Sequence, residues 1–143
     1  MATSGRHLAR RNAVQALYQW DMTGQDAASI KSRFIFDERL KGRYLEYFET
    51  LIREIPANIE TIDTVIERHA DRPVAKMDPL EKAILRIGAF ELMFQLDVPH
   101  NVVLNEGIEI AKLFCSEHGY KYVNGVLDKV VREETRGSHL PAS

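Results

Sequence analysis

Asp78-Pro79-Leu80-Glu81-Lys82-Ala83-Ile84-Leu85-Arg86-Ile87-Gly88-Ala89-Phe90-Glu91-Leu92-Met93-Phe94-Gln95 carries the clearest local signal in the sequence. Its opening places a capping carboxylate, a proline at the first helical position and a glutamate at the third, the pattern of a capping box. In the helix that follows, Leu80, Ile84, Ile87 and Phe94 fall on one side and Leu85 and Leu92 on another. A helix apolar on most of its circumference is contacted from several directions and sits centrally. Glu91 shares the side of Ile84 and Ile87, so it is expected to be buried and hydrogen-bonded, with Asn105 as a donor and a structural role.

Outward from this helix the 3.6-residue period continues both ways. Pro99 precedes a sixth helix, Val102 to Cys115, and Gly119 is read as separating it from a seventh that buries Val123, Val126, Leu127 and Val130. The polar tail from about residue 133 carries no period and is expected to fray. On the other side, Ile59, Ile62, Val65 and Ile66 mark a fourth helix ending before Pro73. Tyr44, Tyr47, Phe48, Leu51, Ile52 and Ile55 mark a third, broken or bent at Pro56. Asp26 caps a second, carrying Ile30 and Phe34. The first runs from a cap at Ser4 to about Met22, with Ala9, Ala13, Ala16, Leu17 and Trp20 in one stripe and Thr23-Gly24 at its end. The class is all-α, and residues 1–143 read as one domain.

The 143 residues carry 45% hydrophobic and 28% charged side chains and a net charge of -2, so any attraction to nucleic acid must come from a local patch. Cys115 is the single cysteine, which excludes an internal disulfide and fits a reducing compartment. With no signal-peptide pattern at the amino terminus and no membrane-length apolar run, the cytoplasm is the expected location. Phosphate-loop, dinucleotide, nucleophile-elbow and zinc-protease motifs are absent from the sequence, so no catalytic residue, cofactor or metal is expected. His7, His69, His100, His118 and His139 lack ligand spacing, and Cys115 is expected to be a buried core residue rather than a nucleophile.

The basic start, about residues 1–11, is the first candidate site. Arg6, Arg10 and Arg11 accompany His7, and no acidic residue precedes Asp21. Arg11, Gln15 and Tyr18 share a face. Arg6 and Arg10 instead extend the apolar stripe, so the first turns are expected to overhang the bundle and present arginines outward. Cations beside an amide and an aromatic suit single-stranded RNA, which needs phosphate neutralisation and a stacking platform; a merely solvated helix start is the competing reading. Tyr120, Lys121, Tyr122 and Asn124 at the start of the last helix form a second candidate cluster, although tyrosines at a stripe edge also serve as core flanks.

Residues 10–20, Arg-Arg-Asn-Ala-Val-Gln-Ala-Leu-Tyr-Gln-Trp, resemble the N-terminal signature of the NusB family. Asp78 to Ile87 with Phe90-Glu91-Leu92 resembles its central helix. Val98-Pro99, Leu104-Asn105-Glu106 and Ile110-Ala111-Lys112 are similar to its next segment, and Tyr122 to Asp128 to its ending. The stretch from about Asp21 to Arg72 has no matching block. The resemblance implies about seven helices in two small packed sub-bundles. It further implies joint binding of boxA-type RNA with NusE, a small-subunit ribosomal protein, in a complex that helps RNA polymerase read through terminators in ribosomal RNA operons. By position it implies RNA contacts from Arg6, Arg10, Arg11, Lys121 and Tyr122, which Tyr18 and Asn124 join from the residue reading, and a partner contact at Glu81. The face expected to meet the partner is Glu81, Lys82 and Arg86. Self-association is also compatible with the family. His7 and Leu8 interrupt the basic run, which implies weaker intrinsic RNA affinity. Two other readings stand beside this one: a protein-only helical adaptor, and a detached N-terminal domain of a ribosomal RNA cytosine methyltransferase. The second conflicts with the absence of a glycine-rich cofactor loop.

Overall fold

The computed structural model describes residues 5–26, 29–31 and 40–135, and every regular element among them is helical. We number the helices α1 (Gly5–Thr23), α2 (Arg43–Ala57), α3 (Ile59–His69), α4 (Pro79–Phe94), α5 (His100–Phe114) and α6 (Glu117–Thr135), with a 3-10 turn at Val74–Lys76. They form two compact units, residues 1–58 and 59–143.

In the first unit α1 packs against α2. Ala9, Ala13 and Ala16 are fully buried, and small side chains there let Phe48, Leu51, Ile52 and Ile55 of α2 come close. Gly24, with φ 73°, ends α1, and its N–H bonds the Trp20 carbonyl at 2.9 Å. Asp26 caps as expected: its Oδ1 accepts from the Ser29 N–H at 2.8 Å, residues 29–31 are helical, and Ile30 is buried. Ser4 and Phe34 lie outside the described residues. Pro56 does not break α2. It sits in the last turn, and the helix closes at Asn58, whose side-chain amide donates to the Glu54 carbonyl at 2.8 Å.

In the second unit α4 packs on α3, α5 and α6, the central position its sequence predicts. Every residue from Lys82 to Leu92 is buried. Val123, Val126, Leu127 and Val130 supply the buried stripe of α6. Gly119 is not a separator; it lies inside the first turn of α6. The break falls at Cys115-Ser116, and Ser116 Oγ accepts from the Gly119 N–H at 3.0 Å, an N-cap that the glycine obscured in the sequence. Phe94, expected in the core, is 43% exposed at the end of α4 and stacks on Phe90.

Helix α6 also continues past Arg132 to Thr135, because its last turn is tied down. Glu134 meets His69 at 2.6 Å and Arg68 at 2.8 Å. Residues 136–143 lie outside the described set. Burial pushes the Glu134 carboxyl up, but the hydrogen bonds with His69 and Arg68 outweigh it and hold the group below the ordinary 4.5. A carboxyl depressed in the folded state stabilises above its unfolded value, and that contribution is lost as pH falls through the folded value. The melting-temperature gap between the parent and Glu134→Gln is therefore expected to be full at neutral pH and to close below pH 4.5. A gap unchanged down to about pH 3 contradicts this linkage.

Candidate functional site

The start of α1 is cationic but does not overhang. The first turns of α2 come alongside it: a Cβ at Gly5 would collide with the Tyr44 ring, so the helix opens pressed against that ring. The Arg6 guanidinium lies 4.6 Å from the centre of the Tyr47 ring, and the Arg10 guanidinium lies 5.8 Å from the same ring. The expectation that Arg10 is presented outward is therefore wrong; it is 3% exposed. An aromatic face lets a cation sit in line with a core stripe, worth about 2 kcal/mol when desolvated. Arg6 is half-buried. Arg11 and Tyr18 are half-buried and Gln15 is exposed, so the outer face predicted for them is there.

In the second unit the start of α4 organises the other cluster. Asp78 Oδ1 accepts from the N–H groups of Leu80 at 2.9 Å and Glu81 at 3.2 Å. The return half of the capping box is not made. Glu81 instead leans toward α6, where its Oε2 would stand 2.5 Å from a Cβ built on Gly119, so a side chain there would displace the carboxylate. Burial, then the neighbouring Asp78 charge, raises the Glu81 carboxyl above the ordinary range despite Arg72 and His118.

Lys82 and Arg86 do not share an exposed face with Glu81. Lys82 is 8% exposed and Arg86 5%, because α4 is covered all round at this level. Arg86 forks onto Asp63 of α3, with Nε–Oδ1 and Nη2–Oδ2 both 2.9 Å. Both residues are withdrawn from the outer face on which they were expected. Glu91, 1% exposed, is buried as expected, whereas Asn105 is exposed and is not its donor.

Tyr122 is half-buried at the start of α6. Arg72 lies 4.5 Å over its ring, and its hydroxyl donates to Asp71 Oδ1 at 3.3 Å. Burial raises the phenol, so it stays a donor, while hydrogen bonding from Arg72 keeps Asp71 below the ordinary carboxylate value. Lys121 is exposed and pairs with Glu117 at 3.1 Å, a surface pair worth well under about 1 kcal/mol. Asn124 is exposed. Asp71 and Arg72 escaped the sequence reading because they follow a helix end with no periodic or motif signal; Pro73 was the nearest cue. Cys115 is half-buried rather than core, at the C-cap of α5. Burial, then the charges of Glu81 and Asp78, push its thiol up to about 11, which keeps it protonated and unreactive near neutrality.

Among the described residues no group of three His, Cys, Asp or Glu is placed to hold a metal ion, and no helix is long and apolar enough to cross a membrane. Fold and site together define an all-helical protein of two units, whose candidate surfaces carry cations, amides and aromatic rings. Residues 7–132 match the NusB family. The transcription antitermination protein NusB of Pasteurella multocida is 48% identical over 127 residues, covering 89% of this chain and 88% of that protein. NusB of T. maritima superposes with a TM-score of 0.81 at 30% identity, over 99% of this chain and 96% of that one. A chain in the crystal structure of the antitermination factors NusB and NusE in complex with dsRNA superposes at 0.82 and 28% identity, over 90% and 97%. The chain belongs to the NusB family.

Proposed function

We propose that this protein is a transcription antitermination factor of the bacterial cytoplasm. It binds boxA-type RNA jointly with NusE and promotes read-through by RNA polymerase, without catalysis of its own. The observation that carries this reading is the correspondence, over 90% of the chain, to a chain of the complex of NusB and NusE with RNA. Arg6, Arg11 and Lys121 contact phosphates, Tyr18 and Asn124 contribute stacking and amide contacts, Tyr122 supports the stacking surface, and Arg10 holds the start of α1 from beneath. The direct test is terminator read-through on a boxA-bearing template with NusE and polymerase. Added protein is expected to raise read-through; no increase contradicts this function.

Neutralising three phosphates predicts a slope of log K against log salt of about -2 for a single strand. Arg11→Ala is expected to weaken all RNAs alike and make that slope shallower by roughly 0.7, as a phosphate contact requires. An unchanged slope removes Arg11 from the interface. Glu81 is the partner contact. Glu81→Lys places a cation in the first turn of α4, against the helix dipole, and is expected to abolish NusE pull-down with only a modest fall in melting temperature. Full NusE capture by the folded variant removes Glu81 from that surface.

A further inference from the structure

Arg72 lies between the end of α3 and the cap of α4, and three contacts hold it in one pose. Its guanidinium lies over Tyr122 with Cζ 4.5 Å from the ring centre. Asp71 takes its edge, with Nε–Oδ1 at 2.8 Å and Nη2–Oδ2 at 3.2 Å. The Tyr122 hydroxyl donates to that same Oδ1 at 3.3 Å, which closes the triangle. The guanidinium thus lies over the Tyr122 ring, and of the two side chains Arg72 is the exposed one and Tyr122 the half-buried one.

Stability gains little from this arrangement, since an exposed cation–π contact contributes about 1 kcal/mol at most. The Arg72 and Asp71 side chains are 42% and 68% exposed, and an ion pair between sequence neighbours at the surface contributes little. Nor does it suit a phosphate. Asp71 already neutralises the guanidinium, and the charge of Glu81 also acts on Arg72. What remains is a planar, weakly hydrated surface of the kind on which unstacked RNA bases settle.

We propose that Arg72, held on Tyr122 by Asp71, is the plate on which one RNA base stacks, with Tyr122 positioning it from behind. The inference rests on the RNA-binding reading above. It is tested with the full chain, NusE and labelled boxA-type single-stranded RNA across a salt series. Arg72→Ala is expected to bind roughly tenfold more weakly, as loss of one stacking platform does, with an unchanged salt slope. Arg72→Lys should lose as much, since it keeps the charge and not the plane. Tyr122→Phe keeps the ring and most of the affinity. Arg72 is exposed, so its variants should melt like the parent.

Parental affinity in Arg72→Ala, while Arg11→Ala is weakened, overturns the plate and leaves the RNA-binding reading standing. Parental affinity in Arg72→Lys, or a shallower slope in Arg72→Ala, makes Arg72 a phosphate contact and also overturns it. Weaker NusE capture by Arg72→Ala without RNA makes it a protein contact, which overturns the plate as well. Failure of the parent protein to bind RNA with NusE present overturns the underlying reading instead.

Discussion

Arg86→Ala is expected to destabilise the protein by about 3–5 kcal/mol, the cost of removing one member of a buried ion pair. The Arg86 side chain is 6% exposed and that of Asp63 19%, and the two meet through a two-point fork at 2.9 Å. Truncating the arginine strands a carboxylate with little water to replace its partner and opens a void beside the central helix. A loss of this size lowers the melting temperature by roughly 10 °C in a chain of this length. Replacing both partners by apolar groups of similar volume, Arg86→Met with Asp63→Leu, should recover most of the loss, because the pair's attraction largely offsets its own desolvation. Chemical denaturation of the two singles and the double closes the cycle. If the singles cost under about 1 kcal/mol, the fork behaves as a surface pair and this reading of α4 is wrong.

Leu127→Ala is expected to cost about 2–5 kcal/mol. Its side chain is fully buried between two glycines on neighbouring helices, and any side chain added at either would have to displace it. A Cβ on Gly88 of α4 would lie 2.6 Å from Leu127 Cδ1, and one on Gly107 of α5 would collide with Cδ2. Because the leucine is gripped from both sides, turning from one new methyl drives it toward the other helix. Gly107→Ala alone should therefore destabilise by about 1–3 kcal/mol, despite the roughly 1 kcal/mol that alanine gains in a helix. Combined with Leu127→Ala, the same methyl fills part of the void, so the double variant should cost less than the sum. Urea midpoints decide it: a stabilised Gly107→Ala protein would mean that Leu127 rotates away freely.

The helices were largely legible because each carries its own period and punctuation; Asp78-Pro79 marks the start of α4 to the residue. Contacts between helices were not. Arg6 and Arg10 visibly lie on an apolar stripe, but a local pattern does not disclose that Tyr47, some forty residues on, offers its ring to both, so burial of Arg10 read as overhang. Lys82 and Arg86 looked like an outer face because charge usually marks solvent, and the carboxylate that admits Arg86 to the interior stands on another helix. Gly119 read as a breaker because glycine usually is one; it lies inside the first turn of α6, with the Glu81 carboxylate beside it. The end of α6 looked like a polar tail because Glu134 finds Arg68 and His69 only in the folded chain. At the candidate site the aromatic and cationic residues were legible from composition and spacing, whereas the Arg72 plate over Tyr122 depends on a contact fifty residues long.

This chain and NusE are expected to bind RNA as one surface. The most direct measurement is the affinity for boxA-type single-stranded RNA with and without saturating NusE, at one fixed salt concentration, with a duplex of the same sequence alongside. NusE is expected to tighten binding by roughly tenfold or more, a coupling ordinary for linked sites, and Arg6→Ala with Arg11→Ala to remove most of the binding. RNA affinity indifferent to NusE, or undiminished in the folded double variant, would contradict joint binding.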